Sequence, residues 1–353
     1  MSASTVPRWA PGLAAATLVA LGIFALLTLL GVPGHTTAAG TPKTATPVAI
    51  YEERVPHVLS AVIVNGLQGG VSGASAAPPE ELPPLSPTAF IEPVAEYVRY
   101  AESQLRAMEQ QIPALDQALA AGDRAGSEGA WRAVYSDYLR LGAVYLTGSI
   151  ATLNQQINGN AGGLAGGVSS PEFAGLHRIE YGLWTGAEPS SLLVWAERLQ
   201  SDVHTMRGAL GQVSITPLEY ATRAHEILED AVRDLLSGAD VPWSSEGVLA
   251  TEAGLEATQQ VIATLQPLLK GREGVGQLVD AALPPLRSVI AALAVAHGGR
   301  LPSNTQLSQE QAESLDSAIG GALEALAQVP GALETEALPQ TPQIPAHDLK
   351  IDP

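Results

Sequence analysis

The sequence predicts an all-α protein of packed up-and-down helices, preceded by one apolar N-terminal helix. The 353 residues are 46% hydrophobic but only 5% aromatic, and Ala, Leu and Gly dominate. That composition favours close packing of helices over a sheet rich in Val, Ile and Tyr. From about residue 91 onward, apolar residues recur at spacings of three and four. Roughly seven or eight such stretches are joined by short loops, which is typical of helical bundles.

The N-terminal helix is a run of about twenty apolar residues. The segment LAAATLVALGIFALLTLLGV, residues 13–32, follows Arg8, and the next charge is Lys43. Its length matches the hydrocarbon core of a bilayer, and Arg8 would remain on the inner side. Two interpretations are open: an uncleaved single-pass anchor over 1–33, which we prefer, or a signal peptide cut near the following TTAAG. Either one exports the remainder, as a membrane-tethered or a secreted protein.

Proline-rich sequence separates this segment from the helical part of the chain. Residues 34–90 contain few helix signals, and SGASAAPPEELPPLSP, 72–87, is typical of an extended spacer. The apolar centre of 51–70 fits a short helix or a strand equally well. We therefore expect an extracytoplasmic spacer over 34–90, a helical domain over 91–330 and a C-terminal tail over 331–353.

The first half of the domain contains helices around a glycine-rich loop. EPVAEYVRYAESQLRAMEQQ has helical spacing of its apolar residues, and Pro113 should kink or end that helix. A second helix begins near Asp123 and continues through WRAVYSDYLRLGAVYL. Residues 158–171, NGNAGGLAGGVSSP, form a loop, and Pro171 suits the first turn of the helix that carries GLHRIEYGLW.

The second half of the domain has stronger helix signals. After a helix over SLLVWAERLQSDVHTMRGAL comes TPLEYATRAHEILEDAVRDLLSG, where Thr216 and Glu219 form a capping box and a glycine closes the end. Helices are then expected over about 247–269 and 275–296. A last helix, 308–329, begins at a second capping box.

Charge and composition exclude several classes of function. The 36 acidic and 18 basic residues give a formal net charge of −18, so the surface repels nucleic acid and attracts cations. The absence of cysteine excludes disulfides, thiolate zinc sites and iron–sulfur clusters. The chain also lacks HExxH, GxSxG and P-loop motifs. Histidines and carboxylates are therefore the residues to consider for chemistry.

His177 and Glu180 form the first candidate pair. They lie three residues apart inside the apolar and aromatic stretch GLHRIEYGLW, so both side chains leave one face of a helix. Imidazole and carboxylate together are common ligands of Fe, Zn and Mn. Two ligands do not complete a metal site, and the pair can also be a buried histidine hydrogen-bonded to its glutamate. The spacing alone leaves both interpretations open.

His225 and Glu229 form a second pair, four residues apart on the flank of an apolar helical stripe. On its own this pair is typical of a solvated acidic face, but two helices with such pairs can converge in a bundle core. The other histidines are weaker candidates. His204 is expected at the surface and His297 in a turn, while the rest lie in segments with few structural signals: His35, His57 and His347.

A family resemblance rests on GLHRIEYGLW. Its GxHxxE pattern, at Gly175, His177 and Glu180, resembles the signature of the imelysin-like family, specifically its EfeO-type members. Similar stretches are AAGDRAGSEGAWRAVYSDYLRL, QINGNAGGLAGGVSSPEF and RAHEILEDAVRDLLSG. The likeness covers about 91–330. It implies an all-α fold of two up-and-down four-helix bundles.

The resemblance also implies a function. It indicates a membrane-tethered, extracytoplasmic iron-binding component of an Efe-type uptake system, working with an EfeU-like permease and an EfeB-like haem peroxidase. It implies that His177 and Glu180 bind the metal, with His225 and Glu229 as further ligands. Iron, as Fe2+ or Fe3+, is the implied metal, and zinc is the alternative. No enzymatic activity and no nucleic-acid partner are expected.

Departures from the family pattern keep alternatives open. Many members carry an acidic FGDLD-like segment, but the matching stretch IATLN places Thr152 and Asn154 at the acidic positions. Neutral oxygens bind iron less well, so other carboxylates such as Glu96 or Glu102 are candidates. No cysteine-containing cupredoxin-like domain is present. A scaffold or binding protein without metal is the main alternative, and a zinc peptidase is the least favoured because no general base stands out.

Overall fold

A computed structural model describes residues 83–144, 150–272 and 274–336, together with the backbone of 344–345. The predicted anchor, 1–33, and most of the predicted spacer lie outside the described residues. Helices make up most of the described part, which confirms the all-α prediction.

Ten α-helices follow one another in the described part of the chain, and short 3-10 turns join several of them. They are α1 (Ile91–Ala120), α2 (Arg124–Leu139), α3 (Ile150–Asn158), α4 (Gly175–Thr185), α5 (Leu193–Ala209), α6 (Pro217–Asp230), α7 (Gly247–Leu269), α8 (Val275–Ala296), α9 (Gln309–Leu326) and α10 (Val329–Ala332). Helix α6 continues as a π-helical turn over Ala231–Leu236.

Helix α1 continues through Pro113, so of the two expected outcomes, a kink or an end, the structure excludes the end. A proline inside a helix costs about 3 kcal/mol. Leu105, Met108, Ile112 and Leu115 are nevertheless fully buried on either side of Pro113. Each such side chain contributes about 1.5–3 kcal/mol when buried. Pro113 itself is exposed, so the apolar stripe of α1 remains uninterrupted and outweighs the lost hydrogen bond.

The helices pack in two sets. In the first, α1 lies against α2 and α5, while α4 packs on α2, α3 and α5. In the second, α6 and α8 each pack on α7 and on α9. Helix α7 also contacts α1 and α2 and so joins the two sets. The shared core is aliphatic, with a few large aromatic side chains such as Trp131 and Tyr220 fully enclosed.

Residues near the two ends of the described chain form short backbone pairings. Leu85 exchanges backbone hydrogen bonds with Glu334 and Glu336, at 2.8 and 3.0 Å. Strand β1 (Ser214–Ile215) pairs antiparallel with β2 (Ile344–Pro345). Residues just outside the predicted helical domain, 91–330, therefore also take part in the fold.

Helix α8 is the one described helix that is long and apolar enough to cross a membrane by length and composition. It lies against α7 and α9. Its charged residues also reach α7, where Asp280 accepts from Gln266 at 2.8 Å and Arg287 donates to Gln259 at 2.5 Å. Part of the apolar face of α8 therefore packs against these neighbouring helices.

The predicted capping box at α6 supplies a test of local stability. Thr216 accepts from the backbone N–H of Glu219 at 3.2 Å, and the Glu219 carboxylate accepts from the N–H of Thr216 at 2.7 Å. We expect Thr216→Ala to lower the free energy of unfolding by about 1 kcal/mol, measured by urea denaturation. Thr205→Ala, which removes an exposed hydroxyl bonded to a carbonyl within α5, is the control. Equal losses in both variants would contradict a capping role.

Candidate metal centre

The candidate centre is built on α4, which contains GLHRIEYGLW. The helix begins at Gly175, whose φ of +70° favours glycine, and a Cβ there would lie 2.4 Å from the carbonyl oxygens of Gln156 and Ile157. Gly159, with φ +75°, is similarly restricted, since its Cβ would lie 1.7 Å from the carbonyl oxygen of Ala174. The first residue of the GxHxxE pattern is thus required by the close approach of α4 to the end of α3.

Aromatic side chains of α2 hold His177 inside the protein. Trp131 donates from Nε1 to the carbonyl of Leu176 at 2.9 Å, and its ring stacks on Tyr135 with centroids 4.7 Å apart. The edge-to-face contact between Tyr135 and the His177 imidazole places their centroids 5.8 Å apart. His177 is only 2% exposed as a result, so its ring nitrogens need partners within the protein.

Glu180 satisfies one of those nitrogens. Its Oε2 lies 2.7 Å from Nδ1 of His177 and accepts a hydrogen bond from it. The other oxygen, Oε1, accepts from the backbone N–H of Ser244 at 2.8 Å and from its hydroxyl at 2.6 Å. These bonds compensate for the complete burial of the carboxylate. Glu180 therefore uses both oxygens behind the imidazole.

The opposite nitrogen of His177 faces Asp240. Nε2 is buried, makes no hydrogen bond within the described residues, and lies 3.6 Å from Oδ2 of Asp240. Asn160 donates from Nδ2 to Oδ1 of Asp240 at 3.1 Å, and its own oxygen accepts from the N–H of Gly162 at 2.7 Å. Because both ends of the Asn160 amide are bonded, it fixes the orientation of the Asp240 carboxylate, whose second oxygen is left beside Nε2.

The two carboxylates control the protonation of His177. Burial alone would lower the pKa of the imidazole, but Asp240 and Glu180 outweigh it and raise the pKa from 6.5 to about 9. Burial alone would likewise raise the pKa of Asp240, yet His177 and Asn160 hold it below its ordinary value. At neutral pH the metal-free centre therefore contains an imidazolium between two carboxylates.

A cavity of about 290 Å³ lies next to this centre. His177 and Asp240 line it together with residues from the glycine-rich loop and from the segment after α6. The other lining residues are Asn160, Ala161, Gly162, Gly167, Val168, Ala239, Pro242 and Trp243. His177, whose Nε2 makes no hydrogen bond within the described residues, thus lines a cavity large enough for a small ligand.

The second predicted pair lies elsewhere. Nδ1 of His225 is 3.5 Å from Oε2 of Glu229, and their side chains are 24% and 56% exposed. Neither residue lines the cavity beside His177. The structure brings together the members of each predicted pair but does not place the two pairs around this cavity.

Outside the cavity lining lie both the residues at the two lost acidic positions, Thr152 and Asn154, and the carboxylates considered in their place, Glu96 and Glu102. Thr152 and Glu96 are exposed. Asn154 is buried, and its side-chain oxygen accepts from the hydroxyl of Tyr138 at 2.5 Å. Glu102 forms an ion pair with an arginine of its own helix. None of these four lines the cavity.

The weaker histidine candidates are not part of the centre. His204 has a side chain that is 72% exposed and lies 3.0 Å from Glu109, as expected for a surface residue. His297 follows α8 in a turn. The other three histidines lie outside the described residues: His35, His57 and His347. Across the described ranges, no group of three or more His, Asp or Glu residues is close enough to hold a metal ion.

Comparison with known proteins gives distant similarity to an iron uptake system component. No protein-family model matches the chain. The iron uptake system component EfeO of Escherichia coli K12 is 23% identical over 167 residues, which are 47% of this chain and 44% of that protein. The same figures apply to iron uptake system component EfeO of Shigella flexneri and of Escherichia coli O6:K15:H31. The chain thus matches less than half the length of these curated relatives.

Sequence reasoning missed Asp240, Ser244 and Asn160. All three lie in loops, where helical spacing gives no signal. Ser244 is 64 residues from Glu180, so their contact is not visible in any local pattern. Asn160 did lie in the quoted glycine-rich loop, and a polar side chain among glycines just before the motif was an available signal.

The raised pKa of His177 predicts a pH-dependent stability in metal-free protein. A group whose pKa is raised on folding stabilises the fold fully below its ordinary pKa, here 6.5, and loses that contribution as the pH rises through about 9. Compared with His177→Gln, the parent should lose an advantage on the order of 3 kcal/mol between pH 6 and pH 10. Urea unfolding of both proteins across this range measures it. A difference that stays constant with pH would contradict the imidazolium assignment.

The Ser244 hydroxyl should stabilise the fold because it donates a hydrogen bond to the buried carboxylate of Glu180. Ser244→Ala removes the 2.6 Å bond to Glu180 while the backbone bond remains. We expect a loss of about 1.5–3 kcal/mol in the free energy of unfolding, the range for hydrogen bonds to charged groups. Ser288→Ala is the matched control, since its hydroxyl bonds an exposed carbonyl of α8. A loss no greater than that of the control would show that Glu180 is satisfied without the hydroxyl.

Proposed function

We propose that this protein is an extracytoplasmic component of iron uptake that binds its iron between His177 and Asp240. The observation that carries the proposal is the buried Nε2 of His177, which lacks a hydrogen-bond partner within the described residues and lies 3.6 Å from a carboxylate oxygen at a cavity. The distant similarity to EfeO, an iron uptake system component, supports the choice of iron.

The chemistry of the two donors suits the metal. Imidazole nitrogen and carboxylate oxygen both bind iron and zinc, with bonds of roughly 2.1 Å. Two adjacent donors of one ion therefore lie about 3 Å apart. The separation of 3.6 Å between Nε2 and Oδ2 requires a shift of only a few tenths of an ångström to reach that spacing.

Glu180 acts behind the metal ligand in this proposal. A histidine that binds a metal through one nitrogen usually donates its other N–H to a carboxylate, which fixes the ring. Glu180 has this position, and Ser244 fixes the carboxylate in turn. The GxHxxE pattern thus supplies one metal ligand and the group that orients it. We propose His225 and Glu229 as a separate surface pair for cations.

Wider features of the proposal rest on the resemblance and on the sequence. The resemblance implies two four-helix bundles, whereas the first packed set contains five helices, α1 to α5, and the second contains four, α6 to α9, with α7 joining them. The apolar segment 1–33 anchors the chain, or is cleaved, and the domain acts outside the cytoplasm. Its partners are an EfeU-like permease and an EfeB-like haem peroxidase. The protein delivers iron to them and catalyses no reaction of its own.

A scaffold role without metal is the second candidate. The observation favouring it is that the protonated imidazole of His177 already lies between two carboxylates and balances part of their charge. In this alternative the buried ion pairs fix the positions of α4 and of the segment that carries Asp240. The zinc peptidase alternative has no comparable support among the described residues.

Metal titration tests the proposal. Chelator-treated protein should gain stability when Fe2+ is added without oxygen, or when Zn2+ is added, by about 2.7 kcal/mol at a hundredfold excess over Kd. Thermal unfolding measures this gain. Asp240→Asn keeps the size of the side chain and lies in a partly exposed position, so it should fold and lose at least most of the gain. His177→Gln should behave in the same way.

Matched variants of the second pair decide between the alternatives. His225→Gln and Glu229→Gln should retain the gain in full. Loss of the gain in these variants, with Asp240→Asn unaffected, would move the site to α6. A parent protein whose unfolding temperature ignores both metals would favour the scaffold role.

A further inference from the structure

The cavity beside His177 is larger than a bound cation requires. A coordinating water occupies about 30 Å³, so four waters completing a six-coordinate ion would fill roughly 120 Å³. The cavity measures about 290 Å³, more than twice that volume. The excess is enough for a small organic molecule.

The lining of this cavity is mainly apolar away from the two donors. Ala161, Val168, Pro242 and Trp243 contribute to it. Ordered water needs two to four polar partners, and these mostly apolar walls supply few of them. Sites for small organic ligands, in contrast, combine apolar walls with a few placed polar groups. Both the volume and the walls favour an organic occupant over a cluster of waters.

The wall formed by Trp243 is held in place by other rings. The ring centroid of Trp243 lies 5.1 Å from that of Tyr181 in an edge-to-face contact and 6.1 Å from that of Phe173. Arg178 lies over both of these neighbours, at 5.8 and 5.5 Å from their centroids. Such packing fixes the indole without any contact from a ligand, so the apolar wall is preformed.

The donor count leaves most of the coordination sphere open. Iron commonly binds six oxygen and nitrogen donors. Among the described residues, His177 and Asp240 are the imidazole and the carboxylate that line the cavity, while the Asn160 amide is already hydrogen-bonded at both ends. The charge is also incomplete. Ferric iron carries three positive charges, and Asp240 and Glu180 together carry two negative ones. One further negative charge would balance the site and lower the cost of removing it from water.

From these observations we propose that the site takes ferric iron together with a small, singly charged bidentate oxygen chelator that has an apolar body, the chemistry of a hydroxamate. The chelator supplies two oxygens and one negative charge, and its body lies against Val168 and Trp243. His177 and Asp240 complete the binding from the protein side. This inference rests on the proposed iron site and adds the class of ligand that enters with the metal.

Native mass spectrometry of the full chain tests the inference, with ferric benzohydroxamate as the probe and Fe2+ alone as the reference. We expect a species containing one protein, one iron and one benzohydroxamate. The visible absorption of the ferric hydroxamate should also shift as protein donors replace water. A mass of protein plus iron only, in the presence of the chelator, would overturn the inference and leave the iron site intact. Absence of iron in every arm would instead refute the proposed function.

A cavity-filling variant supplies the structural control. Ala161→Phe fills space next to the chelator without changing either donor, whereas Ala165→Phe makes the same change in the same loop outside the cavity lining. Ala161→Phe should weaken binding of ferric benzohydroxamate at least tenfold, a loss of about 1.4 kcal/mol or more, and leave the affinity for Fe2+ within about threefold. Equal affinities of the two variants for the ferric chelate would overturn the inference.

Discussion

The centre depends on the hydrogen bond between Nδ1 of His177 and the buried carboxylate of Glu180. Both groups are almost completely enclosed, and removing one member of a buried charged pair typically costs 3–5 kcal/mol because the other is left unpaired. The bond also assigns the two imidazole nitrogens. With Nδ1 engaged by Glu180, Nε2 is the nitrogen left for the cavity and for Asp240. Burial of α4 and the chemistry of the site are therefore set by one contact.

Three segments of the chain must meet for this contact to become a site. Helix α4 supplies the pair, the loop before it supplies Asn160, and the segment after α6 supplies Asp240 and Ser244. Next to Ser244, Ser245 has φ +56°, the one positive value at a non-glycine residue in the described ranges. Such a conformation costs of order 1–3 kcal/mol. The backbone bonds of Ser245 to Val241 and Asn304, at 3.0 and 2.8 Å, hold it in place.

The features that could be predicted from the sequence are those that depend on residues close together in the chain. The helices, the capping box at Thr216 and the pairing of His177 with Glu180 all depend on residues within four positions of one another. The sequence left open whether Pro113 would kink or end its helix, because the buried residues on both sides of it, which favour continuation, are a tertiary feature. Asp240 was missed because nothing in a loop distant in sequence indicates that it faces an imidazole. The sequence also could not tell which imidazole nitrogen Glu180 would engage.

The absent acidic positions now have a physical interpretation. A carboxylate at position 154 would lie buried next to the hydroxyl of Tyr138, which Asn154 satisfies without charge. The cavity at His177 receives its carboxylate from Asp240 instead, a residue of another segment. Asn154 is therefore uncharged, Asp240 provides the carboxylate that faces the cavity, and Glu180 provides the carboxylate behind the imidazole. Two carboxylates flank a single imidazole beside a mostly apolar cavity, and the proposed ferric chelate depends on that arrangement.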